Sequence, residues 1–162
     1  MTPADMLKKG QAAFFAKPPD YQQAKVCFER VTLSAPKWVE GYHWLASACE
    51  KMADHDQATK AYKQAIQCDP KDSRPRIAMG RLLTSTGHLK EAIIELQKGI
   101  ELKPHYCEAD ARLFLAAAYE KANDLSKAKE QWKIVEEMEP SYPSYEKPMR
   151  EARKKLREHA NT

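Results

Sequence analysis

Residues 58–70, Ala58-Thr59-Lys60-Ala61-Tyr62-Lys63-Gln64-Ala65-Ile66-Gln67-Cys68-Asp69-Pro70, decide the fold, because the chain writes their pattern four times. Ala58 is followed four places on by a large residue, Tyr62, seven places on by a small one, Ala65, and twelve places on by Pro70. The same pattern reads Ala24, Phe28, Val31, Pro36; then Ala92, Leu96, Gly99, Pro104; then Ala128, Trp132, Val135, Pro140. Steps of three and four residues put these positions on one face of a helix. The proline then ends that helix, since it lacks the N–H and clashes with the preceding turn. The alanines lie 34, 34 and 36 residues apart. A fixed period in this range is the signature of a stacked repeat array.

Upstream of each such helix lies a second apolar segment, so each repeat reads as two antiparallel helices. The expected pairs are 4–16 with 20–34, 39–53 with 55–68, 73–86 with 88–102, and 108–122 with 124–138. Asp20, Asp54 and Asp124 stand at the turns inside three pairs, placed to cap the following helix. Gly87 holds that turn in the third pair, where a positive φ is wanted. Small residues, Gly10, Ala46, Gly80 and Ala116, mark where the two helices of a pair cross.

This pattern resembles the tetratricopeptide repeat. The resemblance rests on Tyr42, Leu45, Ala46, Cys49, Ala58, Tyr62, Ala65 and Pro70 in the second repeat. It continues with Met79, Gly80, Leu83, Gly87, Ala92, Leu96, Gly99 and Pro104, and with Leu115, Ala116, Tyr119, Ala128, Trp132, Val135 and Pro140. It implies an all-α fold, a right-handed α-solenoid of antiparallel helix pairs. The expected repeats are about 3–38, 39–72, 73–106 and 107–140, counted as one domain with a final segment, 141–162. Two departures stand out: extra residues around Lys17-Pro18-Pro19, and extra residues around Cys107-Glu108. In the final segment Met149, Ala152 and Leu156 share one face of a helix expected over 146–159, with a basic outer side. That face is expected to cap the open edge of the fourth repeat.

The net charge of +4, from 27 basic and 23 acidic residues, is too small to argue for nucleic acid. The four cysteines, Cys27, Cys49, Cys68 and Cys107, form no C-x-x-C pair, and no metal or other cofactor is expected. No apolar run approaches the ~20 residues of a membrane span, and no secretory leader is evident, so the expectation is a cytoplasmic protein. There is no phosphate-binding glycine loop, no H-E-x-x-H and no G-x-S-x-G, and enzymatic activity is not expected.

Partner binding is argued from angles. With about 100° per residue, Trp44 points about 130° from the centre of the stripe Tyr42, Leu45, Ala46, Cys49 and Met52. It therefore either packs on the neighbouring first helix or lines the concave side. Phe114 holds the equivalent place in repeat four, and Ile77 lies beside it in repeat three. In proteins this chain resembles, that side of the first helices lines a concave groove. The groove residues expected on that basis are Leu7, Gln11, Glu40, His43, Trp44 and Ser47, then Arg74, Ile77 and Arg81, then Asp110, Leu113, Phe114 and Ala117. Trp44, Ile77 and Phe114 are expected as apolar anchors, and Arg74 and Arg81 as receptors for carboxylates. The places where some relatives clamp a chaperone's terminal carboxylates hold Leu7, Gln11, Trp44, Arg74 and Ala78, or Lys9 and Ala13 at the first two if repeat one carries no insertion; either set is incomplete and disfavours that role. The expected function is non-catalytic protein–protein binding of a peptide or helical segment, as an adaptor or scaffold. The alternative is a structural module that self-associates.

Overall fold

The computed structural model describes residues 1–160; Asn161 and Thr162, the end of the expected final segment, lie outside the described residues. The described residues form nine α-helices and two short 3-10 turns, with no strand. The helices are α1 (Pro3–Phe14), α2 (Tyr21–Ser34), α3 (Val39–Lys51), α4 (His55–Cys68) and α5 (Ser73–Ser85). They continue as α6 (Leu89–Glu101), α7 (Glu108–Lys121), α8 (Leu125–Glu137) and α9 (Glu146–Glu158). Each expected helix is present with ends within two residues of its reading. The all-α class of antiparallel helix pairs is thereby established.

Local chemistry explains the boundaries. Thr2 and Asp5 form a reciprocal capping box at the start of α1, with the Asp5 N–H donating to Thr2 Oγ1 at 3.1 Å and the Thr2 N–H to Asp5 Oδ2 at 3.0 Å. Asp20, Asp54 and Asp124 accept from the backbone N–H of Gln23, Gln57 and Lys127 at 2.8, 3.2 and 3.2 Å, as their positions suggested. The turns inside the last three pairs share one left-handed residue. It is Ala53 (φ 59°), Gly87 (φ 85°) and Asn123 (φ 59°), so a single turn geometry recurs with three residue types. The extra residues of the fourth repeat form the 3-10 turn His105–Cys107 just before α7.

The chain divides into two compact units, Met1–Pro75 and Arg76–Thr162, and the division falls inside α5. In the first unit α1 packs on α2, α2 on α3, and α3 on α4. Gly10 permits the crossing of α1 and α2: a Cβ there would stand 2.5 Å from the Phe28 ring. Around this crossing lie Leu7, Phe14, Ala24, Val31 and Ala48, all buried, with Trp38, Trp44 and Leu45 at the margin.

The second unit repeats the arrangement with different volumes. A Cβ on Gly80 would stand 2.5 Å from Leu96 Cγ, so glycine is again the residue that lets two helices close. Its core is rich in alanine, with Ala109, Ala111, Ala116, Ala118, Ala128 and Ala152 fully buried around Leu96, Trp132 and Val135. The helix α9 packs on α8 and α7 through buried Met149 and Ala152 and half-buried Leu156. Its end is tied down by the His159 ring stacked on Trp132 (centroids 5.5 Å apart) and by Lys155 Nζ on Glu120 at 3.0 Å. The Tyr145 hydroxyl donates to the His105 carbonyl, and Ser144 Oγ to the Tyr106 carbonyl at 2.7 Å, which anchors the turn before α9.

Candidate functional site

Two of the first helices, α3 and α7, carry four places each that are neither fully buried nor free in solvent. In α3 they are Glu40, His43, Trp44 and Ser47; in α7 they are Asp110, Leu113, Phe114 and Ala117. All eight side chains are half-buried. The two sets hold the same places in their repeats, one in each unit.

In the first unit the charges are already matched. Arg74 donates to Asp72 Oδ2 at 2.7 Å and to Glu40 Oε2 at 3.2 Å. Hydrogen bonding to Asp72 and the nearby charge of Glu40 hold its guanidinium more firmly protonated than usual. Burial works to raise the Asp72 pKa, but the hydrogen bonds from Arg74 outweigh it, and the carboxylate ends below its ordinary range. Arg74 is therefore not an unoccupied receptor for a ligand carboxylate, which corrects the expectation. Its partner Glu40 stands one repeat earlier at the same place, and Asp72 stands two residues before it at the helix start.

His43 lies edge-on to Tyr62 (centroids 5.8 Å apart), with Nδ1 buried and lacking a hydrogen-bond partner. Burial first, and then the charge of Arg74, lower its pKa, so the ring is neutral at pH 7. Ser47 Oγ donates to the His43 carbonyl at 3.0 Å. Trp44 is caged: its ring lies 5.5 Å from Phe14, 5.6 Å from Phe15 and 5.9 Å from Phe28. Its indole N–H donates to Glu40 at 3.3 Å. Of the two readings open for Trp44, packing on the neighbouring first helix accounts for most of its surface. Phe15, 66% exposed, extends that aromatic cluster outward.

In the second unit Ile77 is buried, not an exposed anchor. The small residue Gly99 opposite makes room for it; a Cβ on Gly99 would stand 2.8 Å from Ile77 Cγ1. Ala78 holds the place of Trp44 and Phe114 in that helix, and Arg81 is exposed on it. Leu113 and Phe114 pack at the margin of the core. Burial raises the pKa of Asp110, opposed by Lys147 and reinforced by Glu151, both on α9. Lys147 and Glu151 were not read as site residues. They lie 34 residues after Leu113 and Ala117, so the repeat period was the signal that would have found them.

Among the described residues no group of His, Cys, Asp or Glu is arranged to hold a metal, and no helix is long and apolar enough to cross a membrane. Cys27 and Cys49 are buried as small apolar residues, and burial raises the Cys49 pKa.

Comparison with known proteins agrees with this architecture. Residues 51–109 match the tetratricopeptide repeat family. The Small glutamine-rich tetratricopeptide repeat-containing protein 2 of Mycosarcoma maydis is 32% identical over 102 residues, covering 62% of this chain and 28% of that protein. This chain thus spans little more than a quarter of that relative. Among solved structures, MamA matches with a TM-score of 0.72 at 20% identity, over 98% of this chain and 82% of that one. PilF of Pseudomonas aeruginosa matches with a TM-score of 0.79 at 18% identity, over 98% and 70%. YrrB, described as a tetratricopeptide protein with an unusual peptide-binding site, matches with a TM-score of 0.74 at 20% identity, over 94% and 75%. With four concordant repeats in its sequence and this architecture, the chain has the fold of tetratricopeptide-repeat proteins, and its residues 51–109 match that family. In general terms, such a fold is a protein–protein interaction module.

Proposed function

We propose that the first-helix faces of this protein bind a peptide or helical segment of a partner protein, without catalysis. One observation carries the reading: the same four places in α3 and α7 are half-buried in every case. A half-buried face of that kind supports the reading because a ligand can gain contact there with little rearrangement. In the first unit the face offers the Glu40–Arg74–Asp72 network and His43, with only the outer edge of Trp44. In the second it offers Leu113, Phe114 and Ala117 beside Asp110, Arg81 and, from α9, Lys147 and Glu151. Each unit taken by itself suits its own ligand chemistry: hydrogen-bonding groups on the charge network of the first, apolar residues on the second. A role as adaptor or scaffold follows from such binding.

The test is selection of binding peptides from a random displayed library, followed by affinity measurement against groove-filling variants. Ser47→Arg and Ala117→Arg should each weaken the selected peptides roughly tenfold or more, about 1.4 kcal/mol. Lys60→Glu, at an exposed site on α4, should leave affinity unchanged. Peptides that tolerate both arginine variants would refute the groove. Sedimentation of the protein alone over a concentration series separates this reading from self-assembly.

A further inference from the structure

We propose that α9 holds the register of a repeat's first helix, and that its outward face docks an acidic helix of a partner protein on the side where a repeat's second helix packs. The register is read from burial. Thirty-four residues after Ala111, Leu115 and Ala118 of α7 stand Tyr145, Met149 and Ala152, and all six are buried. The helices that carry them pack alike on the helix before, α7 on α6 and α9 on α8. The places that face a pair's own second helix behave differently. Gly10 meets Phe28 and Gly80 meets Leu96 there, and Tyr119 lies under Lys127 of α8, with Nζ 5.5 Å from the ring centre. Ala116 and Tyr119 are buried, but their counterparts 34 residues on are Arg150 and Arg153, both exposed.

Beside them is a shallow hollow of about 380 Å³, lined by Pro140, Glu146, Met149, Arg150 and Arg153. Its position matches a contact seen in the first unit. There the carbonyl of Pro36, the proline that ends repeat one, accepts from Cys68 Sγ at 3.5 Å, at the end of the next repeat's second helix. Pro140 is the equivalent proline of repeat four. The hollow therefore marks the berth of a second helix.

Charge names the occupant. Arg150, Arg153 and Arg157 follow one another at steps of three and four, a single exposed stripe on α9. Among the described residues Arg150 has no ion pair, and Arg153 reaches Glu136 at 3.8 Å with both side chains about half open. Met149 and Pro140 supply an apolar floor. A helix with carboxylates at the same three-and-four spacing, and leucine-like residues beside them, complements this surface. Glu146 repels carboxylates at the opposite end and so sets the register. This berth is separate from the first-helix faces, so its fate does not depend on theirs.

The experiment measures fluorescence anisotropy of the full chain with a labelled synthetic helix carrying glutamates at three-and-four spacing flanked by leucines. A scrambled peptide of the same composition and a duplex DNA serve as competitors. The designed helix should bind more tightly than either. The Arg150→Glu/Arg153→Glu variant should lose roughly tenfold or more in affinity with an unchanged melting temperature, since two exposed charge contacts are each reversed. Ser47→Arg and Ala117→Arg should leave this binding intact. Equal affinity for the scrambled peptide, tighter binding of DNA, or indifference to the charge reversal would overturn the proposal. So would self-association of the protein that the charge reversal abolishes, which would make the occupant a second copy.

Discussion

Trp44 and Phe114 hold the same place in two first helices, both at the margin of a core, yet only Trp44 stands among other aromatic rings. The reason lies in the preceding repeat. Ahead of Trp44, the end of α1 supplies Phe14 and Phe15, and repeat one's longer turn follows them. Counting from the crossing glycines Gly10 and Gly80, the corresponding residues of α5 are Thr84 and Ser85. Thr84 turns its hydroxyl back to the Gly80 carbonyl at 2.8 Å and offers no ring. The first unit thus gathers aromatic mass on its first helices. The second fills its core with many alanines and carries its largest ring, Trp132, on a second helix, with the Tyr119 and Tyr145 rings also buried. One repeat geometry accommodates both solutions, because what it conserves is helix spacing and not the residue that fills the space.

The largest expected effect tests the second solution. Trp132→Ala should cost about 3–5 kcal/mol, since the ring is almost fully buried and the His159 ring stacked on it would lose its contact. A loss under about 1 kcal/mol would show that α9 relaxes over the gap. Next, Trp44→Ala should destabilise by about 2–3 kcal/mol and Phe114→Ala by about 1–2 kcal/mol, in denaturant unfolding of the full chain. Equal losses would break the comparison, because the cage of Phe14, Phe15 and Phe28 would then contribute nothing. The smallest effect belongs to His43. Its folded-state pKa lies below the ordinary 6.5, so the unfolded chain takes up the proton first as pH falls. The stability contributed by the neutral ring is present above pH 6.5 and is lost as pH falls towards the folded-state value. His43→Phe keeps the contact with Tyr62 and removes the buried, unpartnered nitrogen. Its melting temperature should fall less steeply than that of the natural protein between pH 6.5 and pH 5. An unchanged slope would assign the pH dependence elsewhere.

The fold was legible because periodicity is a property of the chain alone. The alanines of the second helices, the capping aspartates and the closing prolines each act through their own helix, so their spacing carried the helix bounds to within two residues. The faces were less legible because a neighbour decides them. The angle of Trp44 correctly took it off its own helix's stripe, but angle cannot say what stands opposite. Ile77 was misjudged because Gly99, on the paired helix, makes room for it. Arg74 was read as a receptor since its partners, Glu40 a repeat away and Asp72 across the turn, engage it only when the chain is folded.

The recurrence of α7's burial pattern in α9 has a consequence for how the array grows. Because α9 docks on α8 as α7 docks on α6, a duplicated helix pair spliced in after Pro140 would find a ready seat upstream. It would offer α9 a matching seat downstream. Length in such a chain is thus a count that can be changed in whole units, leaving α9 and its seat untouched. The arginines on the far side of α9 set it apart from α7, whose buried Ala116 holds the place of Arg150.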